Sequence, residues 1–230
     1  MRIAYNVEML EINGQGGTIY PTLTWDDEHL VLIDAGFPGQ TDIIVRAIAA
    51  VGFSPERITH IIITHQDMDH IGCVPDFLKL SPAALVLTHQ EEAPYLAGDK
   101  TPIKLAAMLK QYDTLSDEVK DWCDNFKEGY DKRKIAVSQA LLDKDVLPFC
   151  GGIEVIHTPG HTPGHICLFL RESGILVAGD ALNIKDGELI GPNPQHTYDL
   201  ESALQAVEKV RAYPISAVIA YHGGYLEMKQ

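Results

Sequence analysis

Short, fully apolar runs alternate along this chain with stretches whose apolar residues recur every three or four positions. Leu30 to Ile33 reads as a buried strand, and Ile58 to Thr64, with three consecutive isoleucines, as a strongly β-branched one. Ala84 to Leu87, Ile153 to Ile156, Ile166 to Leu170, Ile175 to Val177 and Ala217 to Ala220 read the same way. Runs without in–out alternation belong to strands covered on both faces. Between them, Thr41 to Val51 predicts a helix: Ile44, Ile48 and Val51 share a face, and Gly52 follows as a stop. Asp199 to Ala212 predicts the last helix, with Leu200, Leu204, Val207 and Val210 on one side. Strands and helices in alternation predict a layered α/β protein.

Residues 91–147 break this rhythm. They are charged and helical in pattern, with helices expected over Lys104 to Tyr112 and Asp117 to Tyr130 and no obvious strand. The stretch reads as a helical insertion between two sheet-forming halves, either an exposed elaboration or a wall of a substrate pocket. No Gly/Ser-rich linker interrupts the chain, so one domain over residues 1–230 is expected.

Charge and composition remove several classes of function. The 230 residues carry 18 Lys and Arg against 32 Asp and Glu, a net charge of −14. That balance argues against a general nucleic-acid binder, which must replace counterions on phosphates, and against docking on anionic lipid. No apolar run approaches the roughly 20 residues that span a bilayer. The amino terminus lacks the apolar core of a signal peptide, so a cytoplasmic protein is expected. The 46% of apolar residues can build a sizeable core. The four cysteines have no CxxC spacing, so neither a zinc ribbon nor a thioredoxin-like motif is expected, and four thiols in a chain this long read as buried cysteines, not as a disulfide framework. Nothing here sets the oligomeric state.

The chemistry concentrates where strands end. Ile58 to Thr64 delivers the chain into His65-Gln66-Asp67-Met68-Asp69-His70, four potential metal ligands within six residues. Imidazole and carboxylate suit zinc, iron or manganese. Along an extended loop, spacing by two would point His65, Asp67 and Asp69 the same way and turn His70 aside, so that the loop could feed two adjacent metals. Ile153 to Ile156 runs into His157-Thr158-Pro159-Gly160-His161-Thr162-Pro163-Gly164-His165, whose Pro-Gly pairs hold a loop in shape. Ile175 to Ala178 runs into Gly179-Asp180, and Ala217 to Tyr221 into His222. A lone histidine after a strand is ordinarily a polar surface residue, and His29, His60, His89 and His196 are read so. A cluster of four followed by three further ligands, each at a strand exit, is not explained that way.

These residues resemble the metallo-β-lactamase fold superfamily of metallohydrolases. Its motifs are an Asp-Gly pair after an early strand, then HxHxDH, a lone His, a lone Asp and a final His. Here Asp34 in Leu-Ile-Asp-Ala-Gly, His65 to His70, His161, Asp180 and His222 stand in that order. The resemblance runs from about Leu30 to His222 and implies a four-layer αβ/βα sandwich. It implies one metal on His65, Asp67 and His161, a second on Asp69, His70 and His222, and Asp180 bridging them. Asp34 would brace the ligand loop. His157 and His165 would be structural or line the substrate, with His165 facing the cleft.

One position departs from the family: Asp67 stands where HxHxDH has its second histidine. Two divalent ions bring four positive charges; Asp67, Asp69, Asp180 and a bridging hydroxide cancel them, where the usual pattern leaves one over. Such a site is a weaker Lewis acid and more tolerant of hard metals. Zinc is expected from the habit of the fold. Manganese or iron are the alternatives, since flavodiiron proteins of the superfamily place a carboxylate at the analogous position. The activity implied is hydrolysis of a small ester, lactone or thioester by the bridging hydroxide, with Asp69 accepting its proton. Glyoxalase II is similar at Thr-Pro-Gly-His-Thr-Pro-Gly-His, but its glutathione-binding helices have no counterpart after His222. Lactonases commonly carry a tyrosine where Asn183 stands. A diiron, dioxygenase-like redox enzyme and a non-catalytic metal-binding module are the rival readings.

Overall fold

The structure is a computed structural model describing residues 1–14 and 16–228. Two large sheets carry the fold. The first has seven strands in the order Arg2–Ala4, Val7–Met9, Thr22–Trp25, Leu30–Ile33, His60–Ile63, Leu85–His89 and Gln139–Leu141. The second has six: Val146–Leu147, Ile153–His157, Ile166–Leu170, Ile175–Val177, Ala217–Ala220 and Gly224–Glu227. Pairing is parallel from Leu30–Ile33 through Gln139–Leu141, and again between Ile175–Val177 and Ala217–Ala220.

The side-chain period of two explains the layering. In His60–Ile63, Ile61 and Ile63 join a core shared with the helices Thr41–Val51 and Val74–Leu80, while Ile62 joins the core between the sheets. Leu30 and Leu32 divide from Val31 and Ile33 in the same way. In the second sheet, Ile166, Leu168 and Leu170 face inward, whereas Cys167 and Phe169 pack under the helix Leu200–Arg211 with Val207 and Val210. Every strand so placed is apolar on both faces, and each fully buried Ile or Leu contributes roughly 1.5–3 kcal/mol. The architecture is therefore the expected four-layer αβ/βα sandwich.

The insertion departs from expectation. Helices occupy Ala93–Ala97, Ile103–Leu109 and Asp117–Asp131, but the segment also supplies Gln139–Leu141 to the first sheet and Val146–Leu147 to the second. Strands of three and two residues are too short to show a period in sequence. Three strands of the first sheet, Arg2–Ala4, Val7–Met9 and Thr22–Trp25, are equally illegible there, because polar residues interrupt them. Cys73, Cys123, Cys150 and Cys167 are buried and unpaired. Among the described residues no helix is long and apolar enough to cross a membrane.

Candidate metal centre

Parallel strands end together, and both sheets bring their carboxyl ends to one end of the sandwich. Asp34 follows Leu30–Ile33, His65 follows His60–Ile63, Asp180 follows Ile175–Val177 and His222 follows Ala217–Ala220. The loop between Ile153–His157 and Ile166–Leu170 adds His161. A backbone bond from Ile166 N to Thr64 O, 3.1 Å, ties the two sheets beside the first ligand.

The segment after His65 is not an extended loop. Asp67 is extended (φ −68°, ψ 146°), but a helical turn over Met68–Ile71 begins at once. The turn swings Asp69 and His70 inward together, so His70 is not turned aside. Its Nε2 lies 3.4 Å from Asp180 Oδ1 and 3.6 Å from Asp69 Oδ2.

Two groups result. Ligand atoms of His65, Asp67, His161 and Asp180 all lie within 4.8 Å of one another, and so do those of Asp69, His70 and His222. In the first group Asp67 Oδ2 is 3.2 Å from His65 Nε2 and 2.9 Å from His161 Nε2. In the second, His222 Nε2 is 3.1 Å from Asp69 Oδ2. Asp180 reaches both: Oδ2 is 3.4 Å from His161, and Oδ1 is 3.5 Å from His222. Among the described residues, the buried atoms His70 Nε2 and Asp180 Oδ1 have no hydrogen-bond partner. Buried polar atoms rarely stay unpaired without a missing partner such as an ion or water. Orphaned donor atoms of metal-ligating type, facing one another across a short gap, fit a cation.

Electrostatics separate the groups. Burial and the neighbouring His70 push His65 down to about 4. Burial would raise Asp67, but His65, His161 and Lys104 hold it well below the usual carboxylate range. His70 and His222 go the other way. Burial opposes their charge, yet Asp34, Asp69 and Asp180 hold His70 well above its ordinary value. Asp180 and Asp69 lift His222 to about 9 against the same penalty.

The bracing around these ligands is dense. Asp34 adopts φ 59°, a left-handed conformation unusual for a residue with a Cβ. From there Oδ1 accepts from Thr64 N (2.9 Å), and Oδ2 accepts from Thr64 Oγ1 and pairs with His70 Nδ1, both at 2.8 Å. Asp34 thus fixes the start of the ligand loop and turns His70 Nε2 toward the site. His165 does not face the cleft. It is fully buried, its Nε2 accepts from Asp180 N at 3.0 Å, and its Nδ1 meets Thr158 Oγ1 at 2.8 Å. Its bulk explains Gly179 (φ 51°), where a Cβ would lie 2.7 Å from His165 Nε2. His157 bonds Pro163 O at 2.9 Å and stacks on His89 at 4.0 Å, away from the ligands.

Four residues escaped the sequence reading. Glu92, fully buried, accepts from Gln66 N and Nε2 with one oxygen and from Thr162 Oγ1 and Gly164 N with the other. It clamps the His65–Asp67 loop to the His161 loop. Tyr221 donates to Asp69 O at 2.6 Å, accepts from Gly36 N at 3.2 Å and packs its ring 3.8 Å from that of His70. Lys104 forms an ion pair with Asp67 Oδ2. His196 lines the cleft of about 360 Å³ onto which Asp69, Asp180 and His222 open, together with Phe37 and Lys104. Only Tyr221 carried a usable signal, standing next to a candidate ligand at a strand exit.

Two sheets between helical layers, with a His/Asp cluster able to hold metal at one end, define the metallo-hydrolase class of α/β proteins. The chain belongs to the metallo-beta-lactamase superfamily, whose family model matches residues 15–222. It is similar to the probable metallo-hydrolase YflN of Bacillus subtilis (strain 168), 31% identical over 214 residues, 86% of this chain and 76% of that one. It is 21% identical to the atrochrysone carboxyl ACP thioesterase dmxR1 of Cryptosporiopsis sp. (strain 8999), over 91% of this chain and 49% of that protein. Among solved structures, a metallo-beta-lactamase family protein from Thermus thermophilus shares the fold. Its TM-score is 0.76 at 21% identity, over 98% of this chain and 76% of that one.

Proposed function

We propose that this chain is a dinuclear metal-dependent hydrolase of a small carboxylic ester, thioester or lactone. The observation that carries the reading is Asp180, which turns one oxygen toward each of two ligand groups at the floor of an open cleft. Two divalent ions, zinc or else iron or manganese, would supply Lewis acidity that activates water and polarises a carbonyl oxygen.

The chain's own residues do the rest. His65, Asp67 and His161 would hold one ion, Asp69, His70 and His222 the other, and Asp180 would serve both. Asp34 orients the His70 ring, while His165 and Tyr221 hold the main chain at Asp180 and Asp69, which preorganises the ligands. Asp69 opens onto the cleft, and its carboxylate is placed to accept a proton from the attacking water. The cleft volume suits a small ligand. The names of the two relatives support a hydrolase and, in one case, a thioester substrate. The carboxylate Asp67 in the first group favours harder metals and keeps a diiron redox enzyme as the second reading.

The test is metal analysis of protein purified without added metal, coupled to a hydrolysis screen over lactones, thioesters and phosphodiesters. About two ions per chain and turnover of a carboxylic ester, thioester or lactone are expected. Iron with colour and no hydrolysis would favour the redox reading, and no metal at all would overturn both.

A further inference from the structure

Asp67 is 3% exposed, and a buried carboxylate needs counter-charge. Its Oδ2 meets three nitrogens: His65 Nε2, His161 Nε2 and Lys104 Nζ. The lysine carries a full positive charge over the whole physiological range. Lys104 comes from the insertion helix Ile103–Leu109, and that helix is itself pinned to the ligand loop. Ile103 N donates to Gln66 Oε1 at 2.8 Å, while Gln66 N and Nε2 are held by Glu92. Two consecutive residues of the helix therefore grip two consecutive residues of the loop.

The charge count points the same way. An HxHxDH ligand set brings two carboxylates, Asp69 and Asp180 in this numbering. Here Asp67 adds a third, and the lysine in contact with it offsets that excess. The lysine also meets the oxygen that faces His65 and His161, the one an incoming cation would need.

We propose that Asp67 and Lys104 act as one unit in place of the second histidine of HxHxDH. Lys104 is the positioning residue: it holds the Asp67 oxygen that a cation would need, restores the charge of the first cation subsite and keeps that subsite the weaker of the two. The proposal rests on the metal reading of the site, and it makes the helical insertion a determinant of metal affinity.

Titration of the metal-stripped full chain with Zn²⁺, and separately with Co²⁺, against a chromophoric chelator tests this without any substrate. The wild type is expected to bind two ions with unequal constants. Lys104→Met should tighten the weaker constant at least about tenfold, the scale of one unit charge acting at close range on a divalent ion even where water screens it, and leave the stronger within about threefold. Lys104→Arg should behave as wild type. Asp67→His should weaken the same constant about tenfold, and the double variant Asp67→His/Lys104→Met should return to within about threefold of wild type. A merely structural lysine would not give this reciprocal rescue. An unchanged weaker constant in Lys104→Met, or a double variant no better than Asp67→His, overturns the proposal while leaving the hydrolase reading intact. Fewer than two ions on the wild type overturns the dinuclear reading and this proposal together.

Discussion

The two ligand groups of the site use the same residue types and hold charge in opposite ways. In the first, His65 is packed among other imidazoles and driven down to about 4, and Lys104 sets a positive charge against Asp67. In the second, His222 lies against Asp69 and Asp180 and is lifted to about 9, while His70 rises well above its ordinary value beside Asp34. A cation entering the first group must displace a lysine, whereas one entering the second must displace protons. His65 meets one carboxylate, His222 two and His70 three, and burial alone pushes all of them the same way.

The largest effect is expected from the residue the groups share. Asp180→Ala should lower activity on the order of a thousandfold, as for loss of a charge-stabilising group, and reduce metal content, read by elemental analysis. Unchanged metal content would deny that the groups are joined through Asp180.

Removing the brace beneath the second group should separate it from the first. Asp34→Ala leaves Thr64 N and His70 Nδ1 without their partner, and the second group is expected to lose roughly 10- to 100-fold in metal affinity. Equal losses at both constants in chelator competition would erase the distinction.

Glu92→Gln acts on the other side. A carboxamide has one acceptor oxygen where four donors now converge, so the His65–Asp67 and His161 loops should part and the first group should weaken more than the second. Tightening of the first constant would contradict the clamp.

The proton-holding group should betray itself through pH. In the metal-free protein His222 has its folded pKa raised from 6.5 to about 9. Its stabilising contribution is therefore fully present below about pH 6.5 and is lost as pH rises through about 9. The difference in Tm between wild type and His222→Gln should shrink over that window, and a difference that grew with pH would refute the assignment. The smallest effect is expected from Tyr221→Phe, which removes bonds to Asp69 O and Gly36 N. It should cost about 1 kcal/mol, a Tm shift of roughly 2–4 °C by calorimetry.

Much of this candidate site was readable before any fold was known, since His65, Asp67, Asp69 and His70 are close in the chain, Asp180 and His222 stand just behind apolar runs, and His161 lies in the Pro-Gly loop after another. What supports them was not readable. Glu92 and Lys104 are single charged residues in a charged segment, and nothing local marks Glu92 as fully buried. His165 was legible as part of the site, but only the fold chose between a supporting role and the cleft, because its burial depends on Asp180 packing against it. The insertion's two short strands were lost because a period needs more residues than they contain.

The sequence by itself determined the layered α/β plan and the candidate ligands, because side-chain periodicity and strand-end position are local properties of the chain. Only the tertiary structure decided which ligands meet, which histidine holds a proton and which lysine faces Asp67. Those outcomes depend on charges and burial contributed by residues far apart in the chain, such as Asp34 with His70, Asp67 with His161 and Asp69 with His222.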